Sequence, residues 1–282
     1  MTFSIVARSA DAKQYGVAVA SKFLAAGSAV PAVEAEVGAL ATQAYANLTY
    51  RQTGLAMLRA GITPADVVAG LIAADPDRGH RQLGAVGASG DGATYSGEEC
   101  HDWAGGLTGD GYAIQGNILT GPEVVDAMRR AWLDADPETG FAERLLAALA
   151  AGDAAGGDRR GRQSAALLVA EKGGGYGGFS DISIDLRVDD DPAPLVRMRH
   201  MLSLHRLYFT EPDPDAALPL TDALATEVRK RLAAAGYSGP DTPDGLEAAL
   251  SEWAGVENFE ERLIPGRIDP DVLDVLREAT AE

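Results

Sequence analysis

The sequence predicts an α+β fold, a four-layer αββα sandwich followed by a small all-helical module. Three observations lead there. Strand patterns come in pairs separated by pairs of helical patterns, an order suited to two packed sheets with helices on both outer faces rather than to alternating βα units. At 282 residues and 46% hydrophobic, the chain is long and apolar enough for one large core and a small second one. At Thr210-Glu211-Pro212-Asp213-Pro214-Asp215 the composition turns to proline and acid, and only helical patterns follow. The expected divisions are residues 1–209 for the sandwich, 210–217 for a linker and 218–282 for the helical module.

The first strand is set by Phe3, Ile5 and Ala7 alternating with Ser4, Val6 and Arg8, and Val17 and Val19 repeat the two-residue period after a polar turn at 9–14. Residues 25–33 are small and apolar without clear period, and Glu34 to Glu36 reads as a polar crossing. Val37 to Ala44 is a buried strand. Leu48 to Ala60 has helical spacing and stops at Gly61, and Thr63-Pro64 supplies a cap and first-turn proline for the next helix. Ser89-Gly90-Asp91-Gly92 turns a second hairpin between 81–86 and 93–95. Tyr112 to Asn117 is a strand, 121–133 and 141–151 are helices, and Ala165 to Ala170 and 180–188 are strands. Leu195 to Tyr208 is the helix that closes the large domain. In the tail, helices are expected over 218–235, 243–253 and 270–279.

A net charge of -18 opposes binding to nucleic acid or to an anionic membrane surface. No run reaches the roughly 18 apolar residues of a membrane span, and the amino-terminal hairpin lacks a secretory signal pattern. The single cysteine, Cys100, rules out an internal disulfide framework and a thiolate zinc cluster, and a cytoplasmic setting is expected. His200 and His205 are five apart, which does not present two ligands on one helix face, so neither a metal nor another cofactor is expected.

Thr2 carries the chemistry of most interest. A small residue at position 2 permits removal of an initiator methionine, which leaves a threonine hydroxyl beside a free α-amine at the head of a core strand. The α-amine titrates near ~7.7 to 8.0 and can act as a base at neutral pH, and threonine with its own amine is a recognised activated nucleophile. The plain alternative is a β-branched strand residue that follows Met1. Gln43, Asn47, Gln115 and Asn117 are either polar groups of a site or partners for buried backbone at strand ends. Arg159, Arg160 and Arg162 are either a clamp for a substrate carboxylate or an ion-pair network with Glu34, Glu36 or Asp75.

Thr2 at the head of a hairpin, Val17-Ala18-Val19-Ala20-Ser21-Lys22 and an Asp158-Arg159-Arg160-Gly161 entry to a strand resemble the proteasome-like branch of the N-terminal nucleophile (Ntn) hydrolases. Over residues 2 to 208 the chain is closely similar to the bacterial family called domain of unknown function 1028. The similarity lies in Gly16 to Ser21, Ala41-Thr42-Gln43, Ala74-Asp75-Pro76, Arg78 to Gln82, Gln115-Gly116-Asn117 and above all Gly157 to Ser164. Residues 218 to 280 resemble a peptidoglycan-binding module that often accompanies the family. The hydrolase resemblance implies Thr2 as nucleophile, Asp158 near its amine and Asn117 assisting. Ser21 stands where those hydrolases keep an aspartate, and the lysine they hold beside the nucleophile has no counterpart between Val30 and Val37. An oxyanion hole would use backbone N–H groups from Gln43 to Asn47 with a side-chain amide of either, and Gln115, Arg160 and Arg162 would contact substrate.

The expected function is hydrolysis of a small amide at a non-ester C–N bond, with an anionic substrate if the arginines face the pocket, by a homo-oligomer such as a dimer. The alternative is a non-catalytic ligand-binding or assembly protein on the same fold.

Overall fold

The computed structural model describes residues 2–136 and 138–280. Met1, on whose removal the threonine chemistry turns, lies outside them. The chain divides into two compact units, residues 2–202 and 203–280.

In the first unit, β1 (Thr2–Arg8) and β2 (Gln14–Ser21) form the expected antiparallel hairpin. Joined by β7 (Gly105–Gly109), β8 (Tyr112–Asn117), β9 (Ser164–Glu171) and β10 (Ile182–Val188), they make a six-stranded sheet in the order β10-β9-β2-β1-β8-β7. A four-stranded sheet holds β3 (Pro31–Glu34), β4 (Gly38–Ala44), β5 (Arg81–Gly87) and β6 (Ala93–Ser96) in sequence order. Both sheets are antiparallel throughout.

Alternation along β1 separates two environments. Phe3, Ile5 and Ala7 pack with Val125, Met128, Leu145 and Leu149 of α3 (Glu123–Leu133) and α4 (Phe141–Ala154). Val6, on the opposite face, packs with Val17 and Val19 against Ala39, Ala41 and Val86 of the smaller sheet. That sheet turns Leu40, Leu83 and Ala85 to Tyr50, Leu58, Val67 and Leu71 of α1 (Thr49–Arg59) and α2 (Pro64–Ala73). Burying one such side chain contributes roughly 1.5 to 3 kcal/mol, so the two-residue period fixes the register of the whole hairpin.

Two strands of this unit are not legible in the sequence. β3 lies in the small-residue stretch with no clear period, and β7 is Gly-Gly-Leu-Thr-Gly, extended because it pairs with β8. Glu34, expected in a polar crossing, ends β3 and pairs with Arg59.

Helix α5 (Pro194–Phe209) spans the division between the units. Leu195, Met198 and Leu202 join the core of the first, and Leu207 joins that of the second. The second unit packs α6 (Asp222–Ala234), α7 (Pro243–Glu257) and α8 (Pro270–Ala279) around Trp253, Phe259 and Leu276. It is not wholly helical, because Leu218–Pro219 (β11) pairs with Arg267–Ile268 (β12). No helix among the described residues is long and apolar enough to cross a membrane.

Candidate functional site: the polar end of the large sheet

Strand pairing brings four polar residues into one row. Thr2 opposes Asn117 on β8, Phe3 opposes Ala20 on β2, and Ser21 opposes Ser164 on β9. All four polar side chains are buried at one end of the sheet. Thr2 Oγ1 and Ser21 Oγ lie 3.1 Å apart in a hydrogen bond, and Ser164 Oγ accepts from the Ala26 amide at 3.2 Å. Opposed side chains in an antiparallel pair share a face, here the face turned to the smaller sheet.

Between the sheets the row continues as an amide network. Gln43 Nε2 donates to Gln82 Oε1 at 2.8 Å and to the Thr2 carbonyl at 3.2 Å, while Gln43 Oε1 accepts from Ser4 Oγ at 2.7 Å. Asn117 Nδ2 donates to Gln82 Oε1 at 2.7 Å, and Gln115 Nε2 donates to Ser4 Oγ at 2.6 Å. Gln82 Nε2 in turn reaches Ser96 Oγ and the Gly116 carbonyl. Gly84 makes room for this: a Cβ there would stand 2.0 Å from Gln115 Oε1. In a low-dielectric layer such a network is stable only when its donors and acceptors are matched.

Strain collects at the same end. Ala44 directly follows Gln43 with φ 66°, and Ile118 directly follows Asn117 with φ 50°. A β-branched residue in the left-handed region costs on the order of 1 to 3 kcal/mol and persists where surrounding bonds over-determine it. Ile118 is held from both sides, its amide donating to the His101 carbonyl and its carbonyl accepting from the Arg159 amide.

Asp158 is buried next to this end, bridged to Leu119. Its Oδ2 accepts from the Lys22 amide at 2.8 Å and its Oδ1 from the Arg160 amide at 3.0 Å, which ties the loop before β9 to the end of β2. Arg160 pairs with Asp158 at 3.3 Å and Arg162 with Asp153 at 2.7 Å. Arg160 and Arg162 are thus held in ion pairs, but their acids are these near neighbours and not Glu34, Glu36 or Asp75. Glu34 is engaged by Arg59 and Asp75 by Arg81.

Asn47 sits apart from the row in its bonding. Its Nδ2 donates to Asp75 Oδ2 at 2.9 Å, and its Oδ1 accepts from the Thr49 amide at the start of α1. Together with Tyr50, Thr53, Met57 and Leu71, Asn47 and Asp75 line a groove of about 300 Å³. Beside Ser21 and Ser164 the enclosed space is only about 10 Å³, enough for one water.

Hydrogen bonds from Arg81, Asn47 and Tyr50 hold the Asp75 carboxyl well below the usual carboxylate range. Burial and the bond to Asp75 push the Tyr50 phenol well above its usual value. A depressed folded-state value stabilises the fold above the unfolded carboxyl range of about 3.9, and that stability is lost as pH falls toward the folded value. Arg81→Met should therefore lose stability relative to wild type at pH 7, with the difference shrinking as pH falls below about 4, where the unfolded chain and the variant protonate Asp75 before folded wild type does. Denaturant midpoints across that range check it; a difference independent of pH would refute the linkage.

His80 Nε2 pairs with Glu99 at 2.8 Å, and burial pushes the Cys100 thiol up, away from the thiolate. Among the described residues no three His, Cys, Asp or Glu side chains form a metal-binding group.

Residues 2–198 match the model of a family described as "Family of unknown function (DUF1028)". The chain belongs to the DUF1028 family. The crystal structure of protein SPO2555 from Silicibacter pomeroyi, matched to the same family, is 29% identical with a TM-score of 0.65, covering 79% of this chain and 88% of that one. Residues 208–276 of this DUF1028 protein match a second family, described as "Putative peptidoglycan binding domain". No curated protein matches the chain.

Sequence reasoning placed Thr2, Ser21, Asn117, Gln43 and Gln115 and missed Ser4, Gln82 and Ser164. Their signal was available, since each is a polar residue within or at the edge of an apolar strand. In the DUF1028 chain Gln82 joins the two sheets, so Gln82→Leu takes one acceptor from both Asn117 Nδ2 and Gln43 Nε2 and a donor from the Gly116 carbonyl. Each buried unsatisfied group costs about 1 to 3 kcal/mol, and the expected loss is about 3 kcal/mol, read from denaturant unfolding. A loss below about 1 kcal/mol would mean that water replaces the amide.

Proposed function

We propose that this protein is an Ntn-type hydrolase of a small amide, built on a four-layer αββα sandwich, with Thr2 as nucleophile. The observation that carries the reading is the buried row Asn117, Thr2, Ser21, Ser164, with the Thr2 hydroxyl bonded to Ser21 at the head of a core strand. Once Met1 is removed, Thr2 Oγ1 attacks the substrate carbonyl carbon and its proton passes to the Thr2 α-amine. The tetrahedral oxyanion collapses, the C–N bond breaks, and the departing nitrogen takes that proton. Water then attacks the Thr2 ester, its proton passing through the amine to Thr2 Oγ1 as the acid leaves.

Ser21 orients the hydroxyl, and Asp158, held by the Lys22 and Arg160 amides, fixes the loop beside the end of β2 where the amine would sit. Asn117 and Gln43 position Thr2 through its carbonyl, and Asn47 is left to a neighbouring groove. Arg160 and Arg162 are engaged by aspartates, so a substrate carboxylate has to compete for them, and the reading rests on the amide and not on substrate charge.

One observation favours the alternative, a ligand-binding or assembly protein. The inter-sheet amides are bonded to one another, and the space beside Ser21 holds about one water. The intact mass of untagged protein separates the two. Loss of one methionine leaves Thr2 with the free amine that the hydrolase needs. A mass that retains Met1 removes the base and leaves the binding reading. In either case residues 208–276 would dock a peptidoglycan-related partner or a further copy of the chain.

A further inference from the structure

Strand β10 ends the six-stranded sheet, and no described strand pairs with its outer edge. Such an edge is usually guarded by lysine, proline or a covering element. β10 reads Ile-Ser-Ile-Asp-Leu-Arg-Val, with neither lysine nor proline, and its one irregularity is a register shift between Ile182 and Ile184. From Ile184 to Val188 it is a regular strand with Asp185 and Arg187 exposed.

We propose that this edge pairs with the same edge of a second copy, antiparallel about a two-fold axis at Leu186, joining two six-stranded sheets into one. Charge selects the register. With Leu186 opposite its own copy, Asp185 faces the partner's Arg187 and Arg187 faces the partner's Asp185, while Ile184 faces the partner's Val188. A slip of two residues one way sets Asp185 against itself, and the other way sets Arg187 against itself and Asp185 against Asp189. A slip of one residue turns the apolar side chains to the wrong face. Opposed charges across an antiparallel pair stabilise it and like charges destabilise it, so this register is favoured over its slips of one and two residues.

A five-residue ladder is small beside the roughly 1,200 to 2,000 Å² of a stable interface. The loop that leads into β10 offers more apolar surface, because Tyr176 is 83% and Phe179 96% exposed. Around the two-fold that loop lies alongside the partner's segment following its own β10. Arg187 now pairs with Asp189 at 3.6 Å within the chain, a loose contact with both side chains near half exposed, so little is lost when it turns to the partner. Symmetric closure of this kind ends at a dimer.

The test uses the full chain in light scattering or sedimentation at micromolar concentration. Wild type should have about twice the 29.3 kDa chain mass. Asp185→Arg and Arg187→Asp should each weaken self-association by roughly tenfold or more. An equimolar mixture of the two should recover the dimer, since a strand with two arginines then faces one with two aspartates. Both positions are exposed, and circular dichroism confirms that each variant is folded. A monomeric wild type, single variants that dimerise as wild type does, or a mixture that stays monomeric each overturns the proposal.

Discussion

Under the proposed hydrolase reading, replacing Thr2 with alanine is expected to lower amide hydrolysis by at least about 1000-fold, because removing the nucleophile would leave only binding and polarisation by the rest of the site. The fold should survive. Alanine keeps β1 extended and retains the Thr2 carbonyl that Gln43 and Asn117 contact, and it loses the hydroxyl bond to Ser21. One such bond contributes about 1 kcal/mol. Thr2→Ser, which restores a hydroxyl, should recover much of the rate, and Ser21→Ala should fall between wild type and Thr2→Ala. The measurement is initial rate over a panel of small amides, with thermal unfolding run alongside. Activity unchanged in Thr2→Ala would sink the nucleophile assignment, since no other hydroxyl in the row begins a strand beside the chain's own amine.

Asp269→Ala is expected to unfold the carboxy-terminal unit while leaving residues 2–202 folded. Asp269 acts twice. Its Oδ1 caps α8 by accepting from the Asp271 and Val272 amides, and its Oδ2 accepts from buried Arg262 at 2.8 Å. Arg262 also holds the Leu207 and Thr210 carbonyls, joining the end of α5 to the start of α8. Losing the cap costs about 1 kcal/mol, and taking its close carboxylate from a buried guanidinium, which keeps only Asp271 at 3.5 Å, costs up to about 3 to 5 kcal/mol. A unit of this size has a total stability of only about 4 to 12 kcal/mol. Limited proteolysis should therefore cut the variant within residues 203–280 and leave a resistant amino-terminal fragment. Asp269→Asn keeps a good capping side chain and should lose less. Cleavage at the wild-type rate would show that Arg262 finds water or another acceptor.

How much of this could be read in advance varies with the element. The β1–β2 hairpin, β4, β5, β8 and β9 were legible because alternation, or an unbroken apolar run, reports burial directly. Helix α2 was legible from Thr63 and Pro64, and Thr63 does accept from the Asp66 amide as its cap. β3 and β7 were not, since small residues and glycine carry no period and become strands through their neighbours' hydrogen bonds. β11, Leu218–Pro219, and β12, Arg267–Ile268, were not legible either, because two residues are too few to show a period.

For the site, residue type and position marked Thr2, Ser21, Asn117 and Asp158, because a buried polar residue at a strand end has to answer to some partner. Partners are a different matter. Which acids meet Arg160 and Arg162, that Asn47 turns to Asp75, and that Gln82 joins Gln43 to Asn117 all depend on residues about 2 to 39 positions apart meeting across a turn or a sheet-to-sheet gap. Local sequence encodes which groups must be satisfied, because desolvation penalises each by itself. Packing of the two sheets selects the group that satisfies it, because hydrogen bonds reach only about 3 Å and such distances exist once the layers are in place.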